Sequence, residues 1–406
     1  MKNKTVIIAF ILTLIAAATI LWMPADEESV ASENRAIATM PPHDVHSLMD
    51  GTFTNNFENY LGDNLGYRSF FTYMSGKISA RKGFTSDLGK LVTVNKDVGT
   101  GTTQKASLLI AEERVMEVFN DNGTEAYSDM LDYFGEHVDK RINLYSMVVP
   151  TQLEFKDPVY ANVQDSQRNA ISRIYNNMPK RIVGVDVYDT LKEHINEYIY
   201  FRTDHHWTAR GAFYAYTKLL EVLKENDPDH AEQYKPVTIE EFPEHKVERF
   251  FGNISKQANS PELYPEADTV EWFDINERGH ISVMNESIEN GALYTYETPM
   301  FAKEQKSYRL FLAGDNPFTV LTNNFNPDGR TIVIVRDSYC NAFAPWLINN
   351  YKRVILVDPR SYEGNMRDIL DKYKPDDMLV MNYIFTTTFA DYCEEAINLF
   401  SEQRKQ

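Results

Sequence analysis

Hydrophobic positions along this chain fall into three regimes. Val6 to Met23 is one apolar run, broken only by Thr13 and Thr19. A second regime alternates short β-rich apolar runs with segments of helical spacing. Ile142 to Val149 predicts a strand, Gln167 to Asn177 a helix, Arg181 to Val187 a strand and Thr190 to Tyr198 a helix. Ala209 to Glu225 places Ala212, Tyr216, Leu219, Leu220 and Leu223 on one face of a helix, with Thr208 as its N-cap. The alternation returns at Thr331 to Val335, Arg353 to Val357 and Asp377 to Asn382, with helices predicted over Pro345 to Tyr351 and Tyr362 to Tyr373. Buried apolar strands separated by helices predict an α/β fold built on a parallel sheet with crossovers.

The third regime has neither period. Residues 226–309 are acidic, Pro-containing and aromatic, with strand-like pieces at Thr269 to Phe273 and Ala292 to Tyr296, and read as an irregular β-containing insertion over the core. Upstream, Phe53 to Lys82 predicts one or two helices, Leu91 to Thr103 a loop or hairpin, and Ser107 to Phe119 and Glu125 to Lys140 helices.

The first regime changes the setting. Lys2 and Lys4 precede the run and Pro24-Ala25-Asp26-Glu27-Glu28 follows it, the pattern of an export signal long enough to span a bilayer. Residues 1–25 are therefore expected to anchor the chain, 26–50 to form a linker, and 51–406 to form one extracytoplasmic domain. Charge then narrows the partners. With 41 Lys plus Arg against 59 Asp plus Glu the net charge is −18, a field that repels phosphate backbones and argues against nucleic acid. The two cysteines, Cys340 and Cys393, have neither zinc-ligand nor redox spacing and are expected to be free and buried. No P-loop, dinucleotide fingerprint or EF-hand loop is present, so no metal or nucleotide cofactor is expected.

Chemistry concentrates in Asp204-His205-His206-Trp207, just before the Thr208 cap. A carboxylate beside an imidazole can fix its tautomer and stabilise the imidazolium, which is what a general base needs. The matching nucleophile candidate is Ser338, in Arg336-Asp337-Ser338-Tyr339 directly after the strand Thr331 to Val335. A serine at a carboxyl strand end, ahead of a helix, lies where functional groups collect in such sheets. Asp358, Arg360, Asn382 and Tyr383 sit at similar ends. Arg360 and Asn382 are candidates for binding a glycan hydroxyl or an oxyanion, against ion pairing and strand capping; Tyr339 is a third, against simple packing. His205 is expected to point away from His206. Tyr264, Trp272, Tyr294 and Tyr296 suit either sugar stacking or a local mini-core, the latter being favoured.

Asp204-His205-His206-Trp207 together with Asp337-Ser338-Tyr339 resembles the DHHW protein family of Gram-positive bacteria, itself similar to SGNH-hydrolase-like alginate O-acetyltransferases. The resemblance runs from about Phe53 and includes Gly314-Asp315 and Asp358-Pro359-Arg360. It implies an SGNH-like domain in which Asp204 orients the imidazole, His206 is the base, Ser338 is the nucleophile and the Ser338 N–H is one oxyanion donor. It also implies a polysaccharide substrate and an acyl group supplied by a membrane-bound O-acyltransferase. Asp337 departs from the small or neutral residue that the alginate enzymes carry there, and sets a like charge beside the nucleophile. Two other classes remain as alternatives: a catalytically silent glycan-binding or scaffold subunit, and a metal-dependent phosphoesterase using the Asp-His-His string. The second is disfavoured because Asp186-Val187-Tyr188-Asp189 lacks the Asp-x-Asp spacing it needs.

Overall fold

The structure is a computed structural model that describes residues 52–64, 89–97, 103–156, 158–258, 267–289 and 292–401, together with 10, 19 and 39–41. The expected anchor and linker lie outside the described residues but for those isolated positions. Among the described residues no helix is long and apolar enough to cross a membrane.

Thirteen strands are described: β1 (Lys90–Asp97), β2 (Thr103–Ala111), β3 (Arg114–Glu117), β4 (Asn143–Val149), β5 (Ile182–Gly184), β6 (Glu244–Phe250), β7 (Asp268–Phe273), β8 (Ile281–Glu289), β9 (Ala292–Glu297), β10 (Phe318–Asn323), β11 (Thr331–Arg336), β12 (Arg353–Val357) and β13 (Asp377–Tyr383). Eight form the central sheet, in the order β5-β4-β13-β11-β12-β10-β8-β9. The first five of these run parallel, as the α/β alternation requires. β10, β8 and β9 then extend the sheet antiparallel, so it is mixed rather than wholly parallel.

Alternation along the buried strands explains how two layers of helices are held. On β11, Ile332 and Ile334 face the layer that contains helices Ala209–Asn226 and Cys340–Leu347. Val333 and Val335 face the opposite layer, with helices Glu125–His137, Gln167–Asn177 and Ala390–Asn398. Every residue of β11 and β13 is buried, which is why neither strand shows polar alternation.

Two expectations are corrected. Ser107 to Phe119 is not helical: it is strand β2 to Ala111, a turn at Glu112-Glu113 with both residues at positive φ, and strand β3. Leu108, Ile110 and Val115 pack on one side, Leu109, Ala111 and Met116 on the other. A strand covered on both faces is a continuous apolar run, which periodicity cannot distinguish from a buried helix segment. The stretch 226–309 is only partly an insertion over the core, because its strands β8 and β9 belong to the central sheet. The pair β6–β7 and the short helix Asn253–Ala258 do lie outside that sheet, over the loop that carries Asp204. Both cysteines are free and buried, as expected, and burial pushes both thiols up.

Candidate active site

The loop before helix Ala209–Asn226 is closed by its own backbone. Phe201 N–H donates to the His206 carbonyl at 3.2 Å and Thr208 N–H to Ile199 at 2.9 Å. Thr208 then caps the helix, its hydroxyl oxygen accepting from Gly211 N–H at 3.3 Å. Asp204 and His206 project from this loop in the same direction. Asp204 Oδ1 accepts from His206 N–H at 3.0 Å and lies 2.5 Å from His206 Nδ1. A carboxylate can only accept, so Nδ1 carries the hydrogen and Nε2 is left as an acceptor. Nε2 lies 2.7 Å from Ser338 Oγ, which donates to it. Three residues separated by 132 positions between His206 and Ser338 thus form one hydrogen-bonded relay at the carboxyl end of β11.

The acid of the relay is anchored once more, and the loop that carries it is held from beneath. Asn253 N–H donates to Asp204 Oδ2 at 3.3 Å. Burial alone would raise the Asp204 carboxyl; the His206 imidazole, the hydrogen bond between them and the His205 ring outweigh it and hold the group well below the usual carboxylate range. Beneath the loop, Asp268 accepts from Arg202 N–H (2.8 Å), Thr203 N–H (2.7 Å), Thr203 Oγ (2.5 Å) and Tyr198 Oη (2.5 Å). Gly252 packs so close that a Cβ there would lie 2.3 Å from the Asp204 Cβ.

The serine loop is fixed by a different set. Tyr308 lies parallel to the His206 ring, 3.7 Å between centroids and 7° between planes, and its hydroxyl donates to the carbonyls of Ser338 (3.0 Å) and Tyr339 (3.2 Å). Trp207 Nε1 donates to the Tyr339 carbonyl at 2.9 Å, tying the Asp-His-His-Trp loop directly to the serine loop. Asp337 does not confront the nucleophile. Its Oδ1 accepts from Tyr339 N–H (3.0 Å), and its Oδ2 from Tyr383 N–H (2.9 Å), Thr386 Oγ (2.8 Å) and Asn382 Nδ2 (3.2 Å). The side chain is spent bracing the end of β13.

The remaining candidates fall elsewhere. Asn382 is fully enclosed, bonded to Asp337 and to the hydroxyls of Tyr392 (2.7 Å) and Tyr127 (3.1 Å), so it is a brace in this arrangement and offers no free group to a substrate. Tyr339 is fully buried and its hydroxyl donates to the His205 carbonyl, which makes it packing and loop closure. Arg360 is paired with Asp358 (2.5 Å) and Asp315 (3.2 Å), the ion-pair alternative for this residue. His205 does not point away from His206: the rings are 3.8 Å apart, because the loop curls on itself and brings successive side chains to one side. Of the four aromatics, Trp272 is buried, Tyr294 and Tyr296 are exposed, and Tyr264 lies outside the described residues.

Ligand atoms of Asp204, His205 and His206 also come within 4.8 Å of one another, a set that suits a transition metal by donor type. Both His206 nitrogens are already engaged, however, and a metal there would displace either the carboxylate or the serine. Tyr308 and Asp268 gave no sequence signal, since both lie in the stretch without periodicity. Their roles come from contacts made across 30 or more residues: Tyr308 reaches a serine 30 positions away and Asp268 a loop 65 positions away.

Fold and site together define an α/β protein with a Ser–His–Asp relay at the carboxyl edge of its parallel strands. The chain belongs to the DHHW protein family, whose model matches residues 92–357. Among solved structures it is similar to a DHHW family protein from Eubacterium siraeum, with 24% identity over 77% of this chain and 100% of that one and a TM-score of 0.61. PatB1 of Bacillus cereus is similar at 16% identity over 71% of this chain and 99% of that one, TM-score 0.55. The same protein with a sulfonyl adduct gives 16% over 73% and 99%, TM-score 0.58. No curated protein matches by sequence.

Proposed function

We propose that the protein is an extracytoplasmic acyl-transfer enzyme, an O-acetyltransferase or acetylesterase, that works through an acyl-enzyme on Ser338. The observation that carries this reading is the unbroken relay Asp204–His206–Ser338, at 2.5 and 2.7 Å. In the first half-reaction His206 Nε2 takes the Ser338 proton as Oγ bonds to the acyl carbon, and the donor's C–O bond breaks with that proton returned to its leaving oxygen. In the second, an acceptor hydroxyl gives its proton to His206 and attacks the acyl carbon, and Ser338 leaves and is reprotonated. Asp204 holds the imidazole and stabilises its charged form throughout.

The proposed acceptor is a hydroxyl of a cell-surface or secreted polysaccharide, and the proposed donor partner a membrane-bound O-acyltransferase; both follow from the likeness of the Asp204-His205-His206-Trp207 and Asp337-Ser338-Tyr339 strings to those of the alginate O-acetyltransferases. Export through the apolar run of residues 6–23 supports the location. The test is a stopped-flow experiment with 4-nitrophenyl acetate. A burst of nitrophenol followed by slower turnover is expected from the native protein, and none from Ser338→Ala or His206→Ala. An added glycan that speeds the slow phase and emerges acetylated identifies a transferase; release of acetate alone identifies an esterase. Equal turnover by native protein and Ser338→Ala would refute the reading.

A further inference from the structure

Beside the relay lies a charged cluster that the acyl-transfer chemistry does not use. Asp315, on the loop before β10, receives Arg336 Nη1 (2.9 Å) and Asn341 Nδ2 (2.7 Å) on Oδ1, and Arg360 Nη2 (3.2 Å) on Oδ2. Asp358 shares both arginines, at 3.4 Å from Arg336 and 2.5 Å from Arg360. Two guanidinium groups are therefore ion-paired with two carboxylates, while Arg336 Nη2 donates to the Asn316 carbonyl at 2.8 Å and its buried Nε has no hydrogen-bond partner among the described residues. The four side chains differ sharply in exposure: 1% for Arg336, 2% for Asp358, 18% for Arg360 and 40% for Asp315. The charge that faces solvent is the Asp315 carboxylate.

Asn341 connects this carboxylate to the nucleophile. Its N–H donates to the Ser338 carbonyl at 3.1 Å while its side-chain NH2 donates to Asp315. Because only the NH2 can bond a carboxylate, the amide orientation is fixed and Oδ1 is its free acceptor. That oxygen is buried and has no donor among the described residues. Burial alone would raise the Asp315 carboxyl; Arg360 and then Arg336 pull it well below the usual range, and its field extends to His206. The two arginines and two carboxylates of the cluster balance, and what approaches Ser338 from this side meets the Asp315 carboxylate as its most exposed charge.

We propose that Asp315 is a specificity-determining residue: it admits acceptors that bring hydrogen-bond donors, neutral or amino-bearing sugars, and turns away those that carry a carboxylate or phosphate beside the reacting hydroxyl. This rests on the acyl-transfer reading, and like-charge repulsion in a partly desolvated site supplies the discrimination. The acceptor's hydroxyls find Asp315 as a partner, whereas a uronate finds a carboxylate whose two arginines are already shared.

The test uses three arylsulfonyl fluorides on the full-length protein: benzenesulfonyl fluoride, its 4-carboxy derivative and its 4-(2-aminoethyl) derivative. Each forms an Oγ–S bond at Ser338, breaks the S–F bond and releases fluoride, with the serine proton passing through His206 to solvent. Labelling rates are read by intact-mass spectrometry and divided by each reagent's own hydrolysis rate. The carboxylate reagent should label at least about tenfold more slowly than the ammonium reagent, and added salt should narrow that ratio. Asp315→Asn and Asp315→Ser should each compress it to within about threefold. Equal native rates, or a ratio that survives both substitutions, would overturn the charge filter alone. Failure of every reagent to label Ser338 would overturn the acyl-transfer reading and this proposal with it. The salt series on the native protein stands independently of whether either variant folds.

Discussion

His206 is held by a carboxylate at one nitrogen, a serine at the other and a tyrosine across its face. Stacking on the electron-rich face of Tyr308 favours the imidazolium that forms when Ser338 is deprotonated. Tyr308→Phe keeps the stack but loses the bonds to the Ser338 and Tyr339 carbonyls, and should cost about 1 kcal/mol of stability with a modest loss of kcat. Tyr308→Leu removes the stack and should lower kcat about three- to thirtyfold, equivalent to about 0.7–2 kcal/mol. A kcat unchanged in Tyr308→Leu would assign Tyr308 to packing alone. Asp204 provides a second measurement. Its folded carboxyl is held below its ordinary value, so it adds stability that is fully present above about pH 3.9 and lost as pH falls through the lower folded value. Asp204→Asn should therefore be less stable by about 1–3 kcal/mol at neutral pH, the gap closing in acid as followed by denaturant midpoints. A gap independent of pH would contradict the assignment. At this scale the sequence was informative about the reacting groups, because Asp204, His206 and Ser338 belong to compact strings. It was silent about Tyr308 and Asp268, whose partners are distant in the chain, and left Asn382 between a ligand contact and a strand cap, of which the second, structural role is the one seen in its bond to Asp337.

Loops, rather than the strands themselves, decide whether the relay closes. The Asp204 loop is gripped from below by Asp268 at the start of β7 and from the side by Gly252 and Asn253. Gly252→Ala would push a methyl group into Asp204 and its backbone, and should reduce ester turnover by about tenfold or more, since misplacement of about 1 Å costs about 100-fold. Thermal unfolding of this variant should change far less than turnover; proportionate losses in both would mean that Gly252 serves the fold and not the site. The helices Glu125–His137, Gln167–Asn177 and Ala209–Asn226 were readable because each shows a clear apolar stripe and a surface face. The hairpin β2–β3 was not, because packing on both sides erases the polar alternation that marks a strand. β8 gave no signal of its own, whereas β9 was legible as the strand-like piece Ala292 to Tyr296, even though it lies at the edge of the sheet with Tyr294 and Tyr296 exposed.

For the whole molecule, a five-stranded parallel core extended by three antiparallel strands places the serine loop, the Asp204 loop and the Asp315 loop together. Its strongly buried centre makes the sheet sensitive to cavities: Ile334→Ala, fully enclosed on β11, should cost about 2–5 kcal/mol in denaturant unfolding. A cost below about 1 kcal/mol would mean that the layer around helix Ala209–Asn226 collapses easily. The central claim is that Ser338 is the nucleophile of an acyl-transfer reaction. Its most direct test is intact-mass spectrometry of the full-length protein, and of Ser338→Ala, after brief exposure to an activated acetyl ester and acid quench. The account predicts one added acetyl group on the native protein, mapped to Ser338 by peptide fragmentation, and none on the variant. An acetyl group that maps elsewhere, or equal labelling of both proteins, would contradict it.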